Sequence, residues 1–224
     1  MGKKVALDDG HGMQTLGKRT PKFADGTFMH ENEFNREVVK LTKTHLIRCG
    51  IDVVLVAPTD DDVALEVRAK IANDAKADLY VSVHANAMTG IWGSSSGIET
   101  FCYTNSSQGK IAADIIHKYL LKGTKLKDRG VKKGSFYVLK YTNMPAVLVE
   151  CGFMDNHIEA VLLKTNEYRE ECAEELAKGI CEYFKIIYIV DKNIAENWKA
   201  KYIEMQATLD SVRVLLQTAL NKMK

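Results

Sequence analysis

The chain is 224 residues long, carries 31 lysines and arginines against 29 aspartates and glutamates, and is 46% hydrophobic and 27% charged. That is enough for one large domain, or one domain with a small appendage. A net charge of +2 lacks the basic footprint of a nucleic-acid partner, and no apolar run reaches membrane-spanning length, so no membrane insertion is expected. The start, Met1-Gly2-Lys3-Lys4, meets two aspartates after three apolar residues. That is too short for a signal-peptide core, and the expectation is synthesis in the cytoplasm without an export signal. Cys49, Cys102, Cys151, Cys172 and Cys181 have no CxxC spacing and an odd count, which favours free thiols.

Residues 5–7 read as a buried strand that runs into Asp8-Asp9-Gly10-His11-Gly12. A turn calls for glycine but not for histidine. Strand ends in α/β sheets are where sites are built, so His11 stands out. Residues 33–49 read as a helix with Phe34, Val38, Leu41 and His45 on one face. The run "IDVVLV" at 51–56 is β-branched and apolar, hence a buried strand. A helix over 65–75 and a strand over 79–83, ending on His84, come next. After the Gly/Ser loop at 93–97, residues 98–103 read as a strand and 110–121 as a helix. Residues 136–139 and 146–149 are predicted strands, the second entered through Pro145; 158–163 and 168–184 are predicted helices. Strands alternating with helices imply an α/β fold, a mostly parallel sheet of about six strands with helices on both faces.

The chain changes character from Asp191. Glycine, proline and strand signals end, and Ala195, Trp198, Tyr202, Met205, Leu209, Val212, Leu216, Ala219 and Met223 recur in steps of three and four, a heptad pattern. Residues 1–185 therefore read as one globular domain and 186–224 as a C-terminal helical tail. Its stripe is available for self-association as a homo-oligomer or for docking back on the domain, since Ile203, Val214, Leu215 and Leu220 widen it.

Three positions carry side chains that bind metals well: His11 after the first strand, Glu31 in "MHENEFN", and His84 at the end of "LYVSVH". Two histidines and one carboxylate make a catalytic zinc set with a position left open. Glu150 ends the apolar run "AVLVE". A carboxylate at the end of a buried strand needs a reason, and beside a metal it serves as a general base and then as an acid towards the leaving group. Taken singly, each has a plainer reading: a hydrogen-bonded histidine, an acid in a first helical turn, a salt-bridge partner. His30 is the nearest rival ligand. His45 fits a buried helix face, and His30, His117 and His157 read as solvent-facing.

The segments "DDGHG", "ENEFN", "SVHANA", "DRGVKKGSFYVLKYTNMPAVLVECGFMDN" and "YREECAEELAKGICEYF" together resemble the zinc-dependent N-acetylmuramoyl-L-alanine amidases of the third amidase class, over roughly residues 4–184. "GKRTP" is similar to the phage endolysin branch. The resemblance implies a twisted six-stranded sheet flanked by helices. It also implies one zinc held by His11, Glu31 and His84, with Glu150 as the catalytic glutamate. The substrate it implies is peptidoglycan, cut between the lactyl group and L-alanine, and a lysin of that branch waits in the host cytoplasm until the membrane opens. Arg129 in "DRGV" is a candidate for pairing with a stem-peptide carboxylate, or else for a salt bridge with Asp128 or a helix end. Asn86 is a candidate substrate contact, although Asn86 and Asn35 fit better as braces around the metal loop.

The first motif departs from the family, with Asp9 standing where proline or alanine is usual. No wall-binding repeat follows the catalytic part. Other classes open at this point are an autolysin of the same chemistry, a zinc carboxypeptidase or deacetylase acting on wall material, and a catalytically silent wall-binding module, against which Glu150 argues. Cys151 follows Glu150 directly, so strand alternation turns it away from the site.

Overall fold

The computed structural model describes residues 2–191 and, beyond them, positions 203, 205, 206, 208, 209, 212, 213 and 216. The chain divides into two compact units, Met1–Tyr188 and Ile189–Lys224. In the first, six strands form one sheet: β1 (Lys4–Asp9), β2 (Asp52–Leu55), β3 (Leu79–Asn86), β4 (Ile98–Tyr103), β5 (Asp128–Gly134) and β6 (Ala146–Phe153). Their order is β2-β1-β3-β6-β4-β5. β1 lies parallel to β2 and β3, and β3 parallel to β6. β4 runs antiparallel to β6 and parallel to β5. The mostly parallel α/β sheet expected from the sequence is present, with one reversal between β6 and β4.

Period-two alternation assigns each central strand two different faces. Val5 and Leu7 of β1, Leu79, Val81, Val83 and Ala85 of β3, and Val147, Val149 and Cys151 of β6 join one large apolar cluster. Helices α1 (Glu31–Arg48), α3 (Ser107–Thr124) and α6 (Asn166–Phe184) supply its other side through residues such as Phe34, Val38, Ile116, Leu120, Leu176 and Ile180. The opposite face carries a smaller cluster of Ala6, Tyr80, Ala146 and Leu148 with Val138 and Leu139, under α2 (Leu65–Asp74) and the four-residue α4 (Tyr137–Lys140). The short α5 (His157–Leu163) follows β6. On the smaller face the same alternation aligns Asp8 with Ala6, Ser82 and His84 with Tyr80, and Glu150 with Leu148. The strand ends on that side are therefore polar.

Two expectations are corrected. Residues 136–139 do not form a strand. Phe136 is the extended N-cap of α4, and one helical turn turns the successive residues Val138 and Leu139 into the smaller cluster, while Tyr137 stacks on Tyr141 with ring centroids 4.3 Å apart. Aromatic and β-branched residues give strand propensity, but three of them, Phe136, Tyr137 and Val138, are too few to outweigh packing. The sixth strand is instead β5, within the "DRGV" segment read as a loop. It is an edge strand and mostly half-buried, so its lysines and glycines hide the pattern, as charged edge strands do. The second correction is His117. It is buried, with Thr100 Oγ1 2.9 Å from Nδ1 and Asp128 Oδ1 2.9 Å from Nε2, and so ties α3 to β4 and β5. His45 is buried as expected, and all five cysteines are buried thiols outside any disulfide.

In the second unit the described positions from 203 to 216 are helical. Met205, Leu209, Val212 and Leu216 of the apolar stripe are exposed; Ala195, Trp198, Tyr202, Ala219 and Met223 lie outside the described residues. Among the described residues no helix is long and apolar enough to cross a membrane.

Candidate metal centre and active site

The loop after β1 is held in an unusual shape. His11 sits in the left-handed region at φ +63°, a conformation disfavoured for a side chain with a Cβ. Its surroundings impose it. From α1, Asn32 Nδ2 donates to the carbonyls of His11 and Gly10 at 2.9 and 3.2 Å, and Asn35 Nδ2 donates to Gly10 at 2.9 Å. From α2, Arg68 donates to the carbonyls of Asp9 and His11 at 2.9 and 3.0 Å. Gly10 is required for a separate reason: a Cβ there would overlap the His84 imidazole. This close approach brings the loop onto the end of β3.

The result is a cluster of His11, Glu31 and His84, whose donor atoms all lie within 4.8 Å of one another. His11 Nε2 is 3.5 Å from Glu31 Oε2, and His84 Nδ1 is 2.9 Å from Glu31 Oε1. Ligands bound at about 2.0–2.2 Å to a tetrahedral zinc stand roughly 3–4 Å apart, so the donor set and its spacing fit that ion. Burial of His11 lowers its pKa to about 4, which leaves a neutral imidazole. Burial works against the Glu31 carboxylate, yet the hydrogen bond and charge of His84, with His11 adding to them, keep its pKa below the ordinary range. A neutral imidazole and an ionised carboxylate are the forms that bind metals.

Behind His84 runs a buried relay. Its Nε2 lies 3.0 Å from Ser82 Oγ, and Ser82 Oγ donates to Asp8 Oδ2 at 2.6 Å. Tyr80 donates to the same carboxylate oxygen at 2.8 Å, and Arg68, itself buried, pairs with the other. A hydroxyl has one proton. With that proton committed to Asp8, Ser82 accepts from His84 Nε2–H, so Nδ1, which meets Glu31 Oε1 at 2.9 Å, is the nitrogen that would give up its proton to a bound metal. A tautomer fixed by a hydrogen-bonded outer partner is the usual design of a histidine ligand.

Glu150 stands opposite His84 in the β3–β6 register. Its Oε2 is buried without a hydrogen-bond partner among the described residues. Burial, opposed by the charge of His84 and reinforced by that of Glu31, pushes its pKa up to about 8. A cleft of about 280 Å³ runs from this point past Leu65, Phe136, Tyr137 and Val138. A second, of about 320 Å³, runs past Leu16, Gly17, Asn86, Ala87 and Met154. Lys18, His84 and Glu150 line both.

The other sequence candidates have different surroundings. Arg129 does not pair with Asp128. Its Nε pairs with Glu99, its guanidinium lies 4.8 Å from the Phe153 ring centroid, and Lys132 Nζ holds the second Glu99 oxygen at 2.8 Å. Asn86 accepts from Ala87 N–H at 2.8 Å through its side chain and from Met154 N–H at 2.7 Å through its carbonyl, a bracing arrangement at the edge of the second cleft. His30 is the N-cap of α1 and donates its N–H to Glu33 at 2.8 Å, which accounts for Glu33. Asp9 is buried and meets Arg36 at 3.2 Å, so its charge has a partner on α1. Sequence reasoning missed Lys18, Ser82 and Glu99. The signal for Glu99 was available: an acid inside the apolar run "IETFCY", directly opposite Glu150 in the β4–β6 register.

Residues 5–182 match the N-acetylmuramoyl-L-alanine amidase family. The endolysin of Bacillus phage SPP1 is 39% identical over 195 residues, covering 83% of this chain and 68% of that protein. The N-acetylmuramoyl-L-alanine amidase LytC of Bacillus subtilis is 35% identical over 187 residues; the match covers 83% of this chain but 36% of LytC. The crystal structure of N-acetylmuramoyl-L-alanine amidase from Clostridium difficile 630 superposes with a TM-score of 0.75 at 30% identity, covering 82% of this chain and 97% of that one.

Proposed function

The chain belongs to the N-acetylmuramoyl-L-alanine amidase family, and on that premise we propose that it is a zinc-dependent hydrolase of the amide between N-acetylmuramic acid and L-alanine in peptidoglycan. The observation that carries this reading is the convergence of His11, Glu31 and His84 within 4.8 Å, with the unpartnered carboxyl of Glu150 on the same sheet face. When bound there, zinc would supply Lewis-acid polarisation of the scissile carbonyl and a lowered pKa for water. Glu150 takes the proton of the attacking water and returns it to the departing alanine nitrogen. Burial pushes the Glu150 pKa up to about 8 in the metal-free site, which favours the acid half of that transfer, and a zinc ion nearby would favour the carboxylate that the base half needs. Asn32, Asn35 and Arg68 hold the His11 loop in place.

The role we infer is that of a phage or prophage endolysin. It rests on the 39% identity to the phage SPP1 endolysin and on the "GKRTP" segment. In that role the protein is made in the host cytoplasm and reaches the wall once the membrane is opened. The tail over 186–224 would add avidity for a polymeric wall by self-association. Light scattering at micromolar protein tests this, and a monomer removes it.

The test of the chemistry is digestion of purified peptidoglycan with mass analysis of the products. Release of intact stem peptides with a new alanine amino terminus is expected. A freed C-terminal amino acid or acetate would instead identify a carboxypeptidase or a deacetylase.

A further inference from the structure

Lys18 has no role in the chemistry derived above, yet it lines both clefts at the point where they meet beside His84 and Glu150. Its backbone is rigidly placed. The Lys18 carbonyl accepts the Glu31 N–H at 2.9 Å, and the next residues pair with the strand-like segment before α1, with Thr20 N–H donating to Met29 at 2.9 Å and Arg19 bridging His30. The loop thus hangs from the same residue that offers a ligand to the metal. The side chain makes a long ion pair with Glu31, its ammonium 3.9 Å from Oε2 and beyond hydrogen-bond range, and it is 43% exposed. Arg68, the other guanidinium or ammonium lining the first cleft, is buried and bonded to Asp8, to Val63 and to the His11 loop. Among the described lysines and arginines lining these clefts, Lys18 is therefore the one held by a single long ion pair and no side-chain hydrogen bond, and so the one able to turn to a ligand. Glu31 is its nearest acid, and a carboxylate that ligates a divalent cation no longer balances an ammonium beside it.

We propose that Lys18 binds a free carboxylate of the peptide half of the substrate and so sets specificity for the peptide on the leaving-group side. This rests on the muramoyl-alanine reading above. The two halves of that substrate differ in charge. The sugar's own acid group is consumed in the scissile amide, so its side of the bond is neutral, whereas the peptide side carries free carboxylates beyond the alanine. An ammonium where the clefts meet distinguishes the two halves and fixes which way the amide is presented to Glu150.

The experiment uses two muramoyl peptides that differ only in whether the carboxylate nearest the scissile amide is free or amidated. Each is titrated calorimetrically into zinc-loaded full-length E150Q and E150Q/K18M, with zinc content measured for both proteins. KM and kcat are then compared for the wild type, K18M and K18R. A lost charge-assisted contact should weaken binding of the free-carboxylate peptide by ~10–100-fold in K18M and raise its KM to match. The amidated peptide should change by less than about two-fold, and K18R should recover part of the difference. Equal losses on both peptides, or a fall in kcat alone, would overturn the proposal by putting Lys18 at the reacting carbonyl; no change on either would overturn it outright. A wild type that binds and cleaves neither compound rejects the muramoyl-alanine reading itself, and does so without reference to residue 18. The fold is not at risk in K18M, because the loop is held by the Lys18 backbone.

Discussion

The two faces of the sheet do different work. The face under α1, α3 and α6 is mainly apolar, with Leu7, Val81, Val149, Leu120 and Leu176 fully buried, and its few buried polar groups are paired, Asp9 with Arg36 and Thr100 with His117. The other face shares the same strands, residue for residue, but at the C-terminal ends of β1, β3 and β6 it carries Asp8, Ser82, His84 and Glu150, and α2 and a single-turn α4 cover it only in part. A strand buried on both sides has the freedom to use one face for cohesion and the other for polar groups that are costly to bury. Stability is thereby separated from chemistry within the same six strands. It follows that substitutions on the two faces should fail in different ways.

The sharpest break of that comparison sets Glu150→Gln against Leu176→Ala. The first keeps the shape of the side chain and removes its proton-carrying group. We expect kcat to fall by ~10²–10⁴. The midpoint of denaturant unfolding should hold or rise, because the carboxyl removed has an unpartnered buried oxygen. Leu176→Ala removes a fully buried side chain from the large cluster and should cost about 2–5 kcal/mol of stability, with kcat of the folded enzyme unchanged. Activity loss from Leu176→Ala without loss of stability would show that the faces are not independent.

Metal removal sharpens the same contrast. Chelation should abolish turnover, and zinc should restore it, while far-ultraviolet circular dichroism stays the same because the large cluster contains none of the three ligands. Within the centre, Ser82→Ala cuts the relay between His84 and Asp8 and frees the imidazole to rotate or change tautomer. Zinc affinity, measured by competition with a chromogenic chelator, should fall by ~10–100-fold, the usual effect of losing an outer partner. Unchanged affinity would mean that the His84 ring is held by the Gly10 contact and by Glu31 without the relay.

What was legible in the sequence follows the same division. The apolar face announced itself through runs such as "VAL", "LYVSV" and "AVLV", and the ligand candidates through polar residues that interrupt those runs at strand ends. The parts that stayed hidden depend on pairings between distant segments. β5 is an edge strand whose partner, β4, begins 30 residues earlier, Ile98 facing Asp128, and nothing local marks "DRGVKKG" as extended. The role of Ser82 exists only because β1 lies beside β3 in the register that opposes Asp8 to Ser82. His117 was read as exposed because a helix pattern does not reveal that Thr100 and Asp128 meet its two ring nitrogens. Arg129 suggested a ligand for carboxylates, and it does hold one, but that carboxylate is the protein's own Glu99.

The smallest effect concerns that last pair. Glu99 is buried directly opposite Glu150 in the β4–β6 register, and its oxygens meet Arg129 and Lys132. Burial opposes its charge, but the hydrogen bonds from Lys132 and Arg129 outweigh burial and leave its pKa below the ordinary carboxylate value. A carboxylate depressed in the folded state adds stability that is present above its unfolded pKa of about 4.3 and is lost as pH falls through its lower folded value. Because both cations reach solvent, this amounts to about 1 kcal/mol or less. Glu99→Gln should therefore lower stability slightly at pH 6, and its deficit against the wild type should shrink as the pH falls below about 4. Urea unfolding at pH 6 and pH 3 measures it. A deficit that is the same at both values would mean that Glu99 contributes through shape and hydrogen bonding rather than charge. Arg129 would then be dispensable beside Glu150, and the candidate site would end at β6 rather than extend across to β4.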